Sequence, residues 1–309
     1  MPLDDAAAAI ASAGVTRMRN LAIRDVVTVP LGLAESPVWD DDAGALWLVE
    51  ITERRVLRVA PESGAITRFD MPAEIGSLGL TADGRLVVAL RTGVHLFDPA
   101  SGRLDFLVAP ETDVTASRLN DGRVGPDGNF WVGSMDARRP VRDRSGALYR
   151  VTPQGACTRV ADGFYVSNGL AWSPDGRRMY HADSRGIYVQ VFDFDPRDGA
   201  ATNPRRLLTL TEQDGLPDGA AVDAEGFYWS AGITADVLNR IAPDGSIVER
   251  IPLPISAPTM PCFGGADLRT LFVTSLASDR SGSFQHGRLI ALDVGVAGLP
   301  TQRFGQAPG

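Results

Sequence analysis

Along most of the chain apolar and polar residues alternate in short runs, and the runs come in pairs separated by Asp-Gly or a similar polar turn. Alternation with period two predicts half-buried strands, and paired runs around such turns predict antiparallel hairpins. One hairpin pattern occurs six times: SPVWDDDAGALWLVEI from Ser36, GLTADGRLVVAL from Gly79, RVGPDGNFWVGSM from Arg123, GLAWSPDGRRMYHADS from Gly169, AAVDAEGFYWSAGI from Ala220 and CFGGADLRTLFVTSL from Cys262. Each copy is followed by a second hairpin pattern, from RVLRVAPESGAITRF at Arg55 to GRLIALDVGVAG at Gly287. Two hairpins make a four-stranded sheet, and six sheets recurring every forty to fifty residues or so predict an all-β chain folded as a six-bladed β-propeller.

One blade cannot bury both faces alone, so residues 21–309 are expected to form a single domain. Within it LAIRDVVTVP, residues 21–30, reads as a spare strand that pairs with the last blade and closes the circle. Residues 1–20 are expected to be an extension outside the domain, carrying a short helix. Its leading charges, Asp4 and Asp5, have the wrong sign for a signal peptide, and its apolar run is too short to span a bilayer.

Composition narrows the class of function. The 309 residues are 44% hydrophobic and 22% charged, which suits a globular protein with a sizeable core. A net charge of −8 argues against phosphate-driven binding to nucleic acid, and the interrupted apolar runs argue against a membrane partner. The two cysteines, Cys157 and Cys262, lack both metal-ligand spacing and a disulfide pattern, which fits the reducing cytoplasm. The acidic surface and the N-terminal extension are compatible with a monomer or a dimer.

Candidate chemistry lies at the approach to each first strand, because in a propeller the loops entering the innermost strands converge on the axis. The polar residues there are Glu35 in LAESPVW, Arg118, Asn120 and Asp121 in SRLNDGRV, Ser167 and Asn168 in VSNGLAW, and Asp218 in LPDGAAV. A Glu, two Asn and an Asp at equivalent places in different blades are the oxygen donors that hard divalent cations take. Singly, each of NDG, SNG and PDG is also a turn former whose Asx side chain bonds its own backbone. The PDG triplets at 126–128, 174–176 and 243–245 are read as hairpin turns, whereas Asp218 precedes an inner strand. None of the three histidines, His95, His181 and His286, stands beside these motifs, so a His-rich zinc centre is not expected. The five tryptophans and Cys262 are read as core, and Phe164 and Tyr165 as a pocket wall.

ESPVW, RLNDGRVGPDGNFWVGSMD, VSNGLAWSPDG, LPDGAAVDAEGFYW and CFGG, in this order and blade spacing, resemble the family of regucalcin, gluconolactonase and luciferin-regenerating proteins over roughly residues 31–300. The resemblance implies metal ligands at Glu35, Asn168 and Asp218, with Asn120 reaching the site directly or through water. It implies a substrate-contacting Arg118 and acid/base work by Asp218. The implied activity is metal-dependent hydrolysis of a sugar lactone to its aldonic acid, with one divalent cation (Ca, Zn, Mn, Mg or Fe) as cofactor. No Gly-x-Ser-x-Gly elbow suggests an acyl-enzyme instead. A non-sugar lactone or a phosphotriester is the alternative substrate, and a calcium- or ligand-binding propeller without turnover the alternative role. The chain departs from the animal members after GSM, where DARRPVRDRSG, residues 136–146, carries Arg138, Arg139, Arg142 and Arg144. These form either a solvated basic loop or, through Arg138 or Arg139, a contact to an acidic substrate.

Overall fold

The computed structural model describes residues 21–138, 140–277 and 284–306. Among them are six four-stranded antiparallel sheets and no α-helix. The sheets follow one another around an axis as the blades of a six-bladed β-propeller. The innermost strands, in chain order, are Ala34–Asp40, Ile75–Leu80, Ser117–Val124, Ser167–Trp172, Pro217–Val222 and Pro258–Gly264. All six are almost wholly buried, while fourth strands such as Ala65–Asp70 and Ala200–Thr209 face solvent.

The last blade is closed from the other terminus. Ile23–Asp25 pairs with Leu289–Asp293, so the outer strand of blade six comes from the spare N-terminal segment. GRLIALDVGVAG therefore supplies one strand, not the pair its pattern predicts. Its second half turns inward instead, with Val294 and Val296 buried in the core of that blade and its neighbour. The segment expected as an N-terminal helix lies outside the described residues.

Large aromatic residues fill the wedges between blades. Trp39 of blade one stacks on Phe272 of blade six at 5.9 Å, and Trp131 of blade three meets Trp172 of blade four edge-on at 6.1 Å. All five tryptophans are buried, as expected from their repeated strand positions. Phe164 belongs to the same packing. It lies 4.4 Å from the ring of His181 in the core between blades three and four, so it is not a pocket wall. Tyr165 sits beneath the Arg144 guanidinium at 5.2 Å.

Every inner strand shifts register near its start: Glu35/Val38, Ile75/Ser77, Leu119/Gly122, Asn168/Ala171, Pro217/Ala220 and Pro258/Pro261. A bulge re-aims side chains and leaves ladder groups unpaired. Here the neighbouring blades supply partners: Ser36 Oγ accepts from Leu78 N at 3.0 Å, Asp121 Oδ2 accepts from Leu170 N at 3.1 Å, and Thr259 Oγ1 donates to Ala34 O at 2.6 Å. The bulges thus knit blade to blade around the axis.

Candidate active site

The sequence places the candidate residues ahead of the first strands. The structure places them inside those strands, at the bulges. Glu35 and Asn168 are the last paired residues before the register shift, and Asn120 and Asp218 fall within it. Consequently NDG, SNG and the PDG at 217–219 are not turns, while the other three PDG triplets do form the hairpin turns expected of them.

Two glycines make the approach possible. Gly169, beside Asn168, has φ +66° and lies so close to the next blade that a Cβ would meet Tyr228 Oη at 2.3 Å. Gly76, in blade two, faces the backbone of blade three, and a Cβ there would stand 2.6 Å from Asn120 O.

The bulges gather Glu35, Asn120, Asn168 and Asp218 on the floor of a cleft of 350 Å³ at one end of the axis, each at most 8% exposed. Asn168 is the hub. Its Nδ2 donates to Asp218 Oδ1 at 2.6 Å and to Ser184 Oγ at 2.7 Å, and its Oδ1 accepts from Asn120 Nδ2 at 2.9 Å. Asn120 also donates to Ser167 O at 3.0 Å. Behind them His181 is fully buried between Ser167 Oγ at 2.7 Å and Gln190 Nε2 at 3.1 Å, and burial pushes its pKa down to about 3. It is a neutral prop for the inner strand.

Burial raises three neighbouring carboxyls, Glu35, Asp218 and Asp121. Burial, with the Asp121 charge added, pushes Asp218 up to about 8, against opposing pulls from Arg118 and a hydrogen bond with Glu35. Glu35 is raised well above the usual range by burial and by the charges of Asp218 and Asp121. Carboxyls this close cannot both ionise without a compensating positive charge.

Among the described residues no three His, Cys, Asp or Glu side chains come together as a ligand set. The centre instead combines two carboxyls with two carboxamides, all oxygen donors of the kind hard divalent cations take. A divalent cation would relieve the opposed charges of Glu35 and Asp218, so this donor set fits one.

Arg118, partly buried, lines the cleft, donates to Leu119 O at 3.1 Å and draws both carboxyls toward ionisation. Arg138 does not join the cluster. Its guanidinium is held by the buried Asp136, with Nε to Oδ1 at 2.8 Å and Nη2 to Oδ2 at 2.9 Å, and by Asp143. Arg144 donates to Gly163 O at 2.8 Å, and Arg139 lies outside the described residues. Among the cleft residues that the sequence does not single out are Ser184 and Arg185 in HADSRG. They sit in the turn after a second strand, where the signal is a bare polar pair.

A six-bladed propeller with a buried oxygen-donor cluster at one end of its axis defines the class. Residues 33–277 match the family described as SMP-30/Gluconolactonase/LRE-like region, and the chain belongs to that family. The chain is 40% identical over 268 residues to 6-deoxy-6-sulfogluconolactonase of Pseudomonas putida, covering 85% of this chain and 89% of the relative. It is 34% identical over 262 residues to regucalcin of Xenopus laevis, covering 84% and 88%. Among solved structures it is similar to a calcium-binding regucalcin of Agrobacterium tumefaciens, at TM-score 0.86 and 29% identity, covering 93% and 98%.

Proposed function

We propose that the protein is a lactonase, a carboxylic ester hydrolase that opens a sugar lactone to its aldonic acid with one divalent cation bound. The observation that carries this reading is the cluster of two buried carboxyls, Glu35 and Asp218, and two carboxamides, Asn120 and Asn168, on the floor of a sugar-sized cleft. A relative named for a sulfogluconolactone, similar over most of its length, supports the same substrate class.

Glu35, Asn168 and Asp218 would hold the cation, with Asn120 direct or through water. When bound, it supplies positive charge that polarises the lactone carbonyl and favours the ionised form of Asp218 near neutral pH. Arg118 and Asn120 orient the lactone through its hydroxyls and carbonyl. Asp218 accepts a proton from the attacking water as the water oxygen bonds to the carbonyl carbon, and returns it to the ring oxygen as the ring C–O bond breaks. Asn168 keeps the Asp218 carboxyl in place. Two free cysteines, one buried and one partly buried, support a cytoplasmic setting.

The test is hydrolysis of a panel of aldonolactones, followed by acid release after chelation and metal add-back, with Asp218→Ala alongside. Turnover that metal restores, and that the variant loses by about a hundredfold or more, is expected. Turnover that persists in chelator, or in the variant, overturns the assignment.

A further inference from the structure

Among the described residues four charged ones line the cleft: Glu35, Asp218, Arg118 and Arg185. Three act on one another. Arg118 draws both carboxyls toward ionisation, and each carboxyl raises or bonds the other. Arg185 is the remainder. It is exposed, and among the described residues it makes no hydrogen bond, ion pair or ring contact.

Its backbone is nevertheless fixed. The preceding Asp183 is fully buried and accepts from Tyr165 N, Val166 N and Gly186 N, each at 3.1 Å. Ser184 N donates to Val166 O at 3.1 Å, Ile187 N donates to Asp183 O at 2.9 Å, and Ser184 Oγ accepts from Asn168. A guanidinium with no partner among the described residues thus projects from a rigid turn, next to the Ser184 that bonds the hub of the site. Sites built on rigid supports place their groups reproducibly. Among its described residues the basic loop offers no equal: Arg138 and Arg144 are occupied, and Arg142 does not line the cleft.

We propose that Arg185 determines specificity by receiving an anionic substituent, a sulfonate, phosphate or carboxylate, carried by the lactone away from its carbonyl. The proposal rests on the lactonase reading above. A guanidinium pairs with such groups through two parallel N–H···O bonds. The carboxylates at the cleft floor disfavour an anion deep in the site, so the charge is directed to the mouth and the neutral carbonyl to the floor. That sets the orientation of the ring.

The experiment compares kcat/KM of the metal-loaded wild type, Arg185→Gln and Arg185→Lys. The substrates are glucono-1,5-lactone and the same ring bearing a 6-phosphate, a 6-sulfonate or a 6-carboxylate. The wild type is expected to prefer at least one charged ring. In Arg185→Gln that preference falls by about tenfold to a hundredfold, chiefly through KM, and Arg185→Lys restores part of it. The preference also shrinks as salt is raised. The three arms identify the anion. A preference ratio unchanged in Arg185→Gln overturns the proposal. Calorimetric titration of 6-phosphogluconate and gluconate into both proteins separates the two readings. If no lactone turns over, the lactonase assignment falls, while tighter 6-phosphogluconate binding lost in Arg185→Gln still upholds Arg185 as the anion contact, and equal binding refutes it.

Discussion

The same six inner strands build both ends of the propeller axis, with opposite chemistry. Where the strands begin, Glu35, Asn120, Asn168 and Asp218 surround the 350 Å³ cleft; where they finish, Val38, Val124, Trp172, Val222 and Phe263 surround a cavity of 180 Å³. The second end is also capped by the C-terminal segment. Pro300 and Gln302 line it, Thr301 Oγ1 donates to Trp39 O at 2.8 Å, and Phe304 pairs with Thr81. The register shift near the start of each strand separates the two ends. Polar residues at or before the bulge turn to the axis, and residues beyond it return to the pleat and pack. Local strand geometry therefore decides which end gathers the carboxyls and carboxamides; at the far end Arg123 donates to Ala220 O at 3.0 Å.

The comparison breaks most sharply at Asn168. Replacing it with Ala should lower kcat/KM by about a hundredfold or more, because Asp218, Asn120 and Ser184 all lose their common partner. Stability should fall by only about 1–2 kcal/mol, the scale of the lost hydrogen bonds. An Asn168→Ala enzyme with near-normal kinetics would mean that the hub does not organise the chemistry.

Next comes the bulge itself. Gly169→Ala places a methyl against Tyr228 Oη and forces an L-residue into φ +66°. A loss of about 2–4 kcal/mol in urea unfolding is expected. Metal affinity should weaken as well, since the new Cβ also presses on Asp218 O, 3.2 Å away. A fully stable Gly169→Ala protein would show that the bulge is not what holds blades four and five together.

These two positions also mark what could be read in the chain. Six repeats, closure by residues 21–30 and the convergence of Glu35, Asn120, Asn168 and Asp218 all follow from the pattern, because equivalent positions in a ring must meet at its axis. The bulges did not follow. Asn-Gly and Asp-Gly carry turn chemistry and point to loops ahead of a strand, although a Gly inside a strand pattern is itself a bulge signal. The half-hairpin of blade six is hidden because the Gly-containing turn in GRLIALDVGVAG mimics a hairpin, while Val294 and Val296 beyond it pack into the core. The fate of Arg138 depended on a buried Asp136 two residues away, and the contact of Ser184 with Asn168 on tertiary packing that no local spacing encodes.

A smaller effect, in stability against pH, sharpens the electrostatic side of the comparison. In the metal-free protein Asp218 is pushed from 3.8 to about 8 and Glu35 is raised too, so the folded state keeps protons that the unfolded chain has released. Their effect is a loss of stability as pH rises from about 4 through 8. His181 runs the other way. Lowered from 6.5 to about 3, it makes stability rise with pH between those values, because there the unfolded state binds the extra proton. The carboxyl effect stands unopposed between about pH 6.5 and 8. Thermal unfolding in chelator should show Tm falling across that window, Asp218→Asn should flatten the fall, and a divalent cation should stabilise more at pH 8 than at pH 6 because its ligands must be deprotonated. A rising metal-free Tm would contradict the charge balance drawn for the cleft.

The smallest effect belongs to the apolar end. Cys262 is buried at the far cavity, its thiol pushed up to about 11 by burial, with Sγ 3.4 Å from Phe263 O. A thiol held protonated is a poor nucleophile, and the pull of Arg123 toward ionisation does not overcome burial. Cys262→Ala should cost about 1 kcal/mol through the small void it leaves. It should leave kcat/KM within about threefold, since strain would have to cross the bulges to reach the carboxyls. The folded protein should also resist alkylation at this position until it unfolds. A large loss of turnover in Cys262→Ala would show that the two ends are coupled along the inner strands, and the division between a chemical end and a packing end would no longer hold.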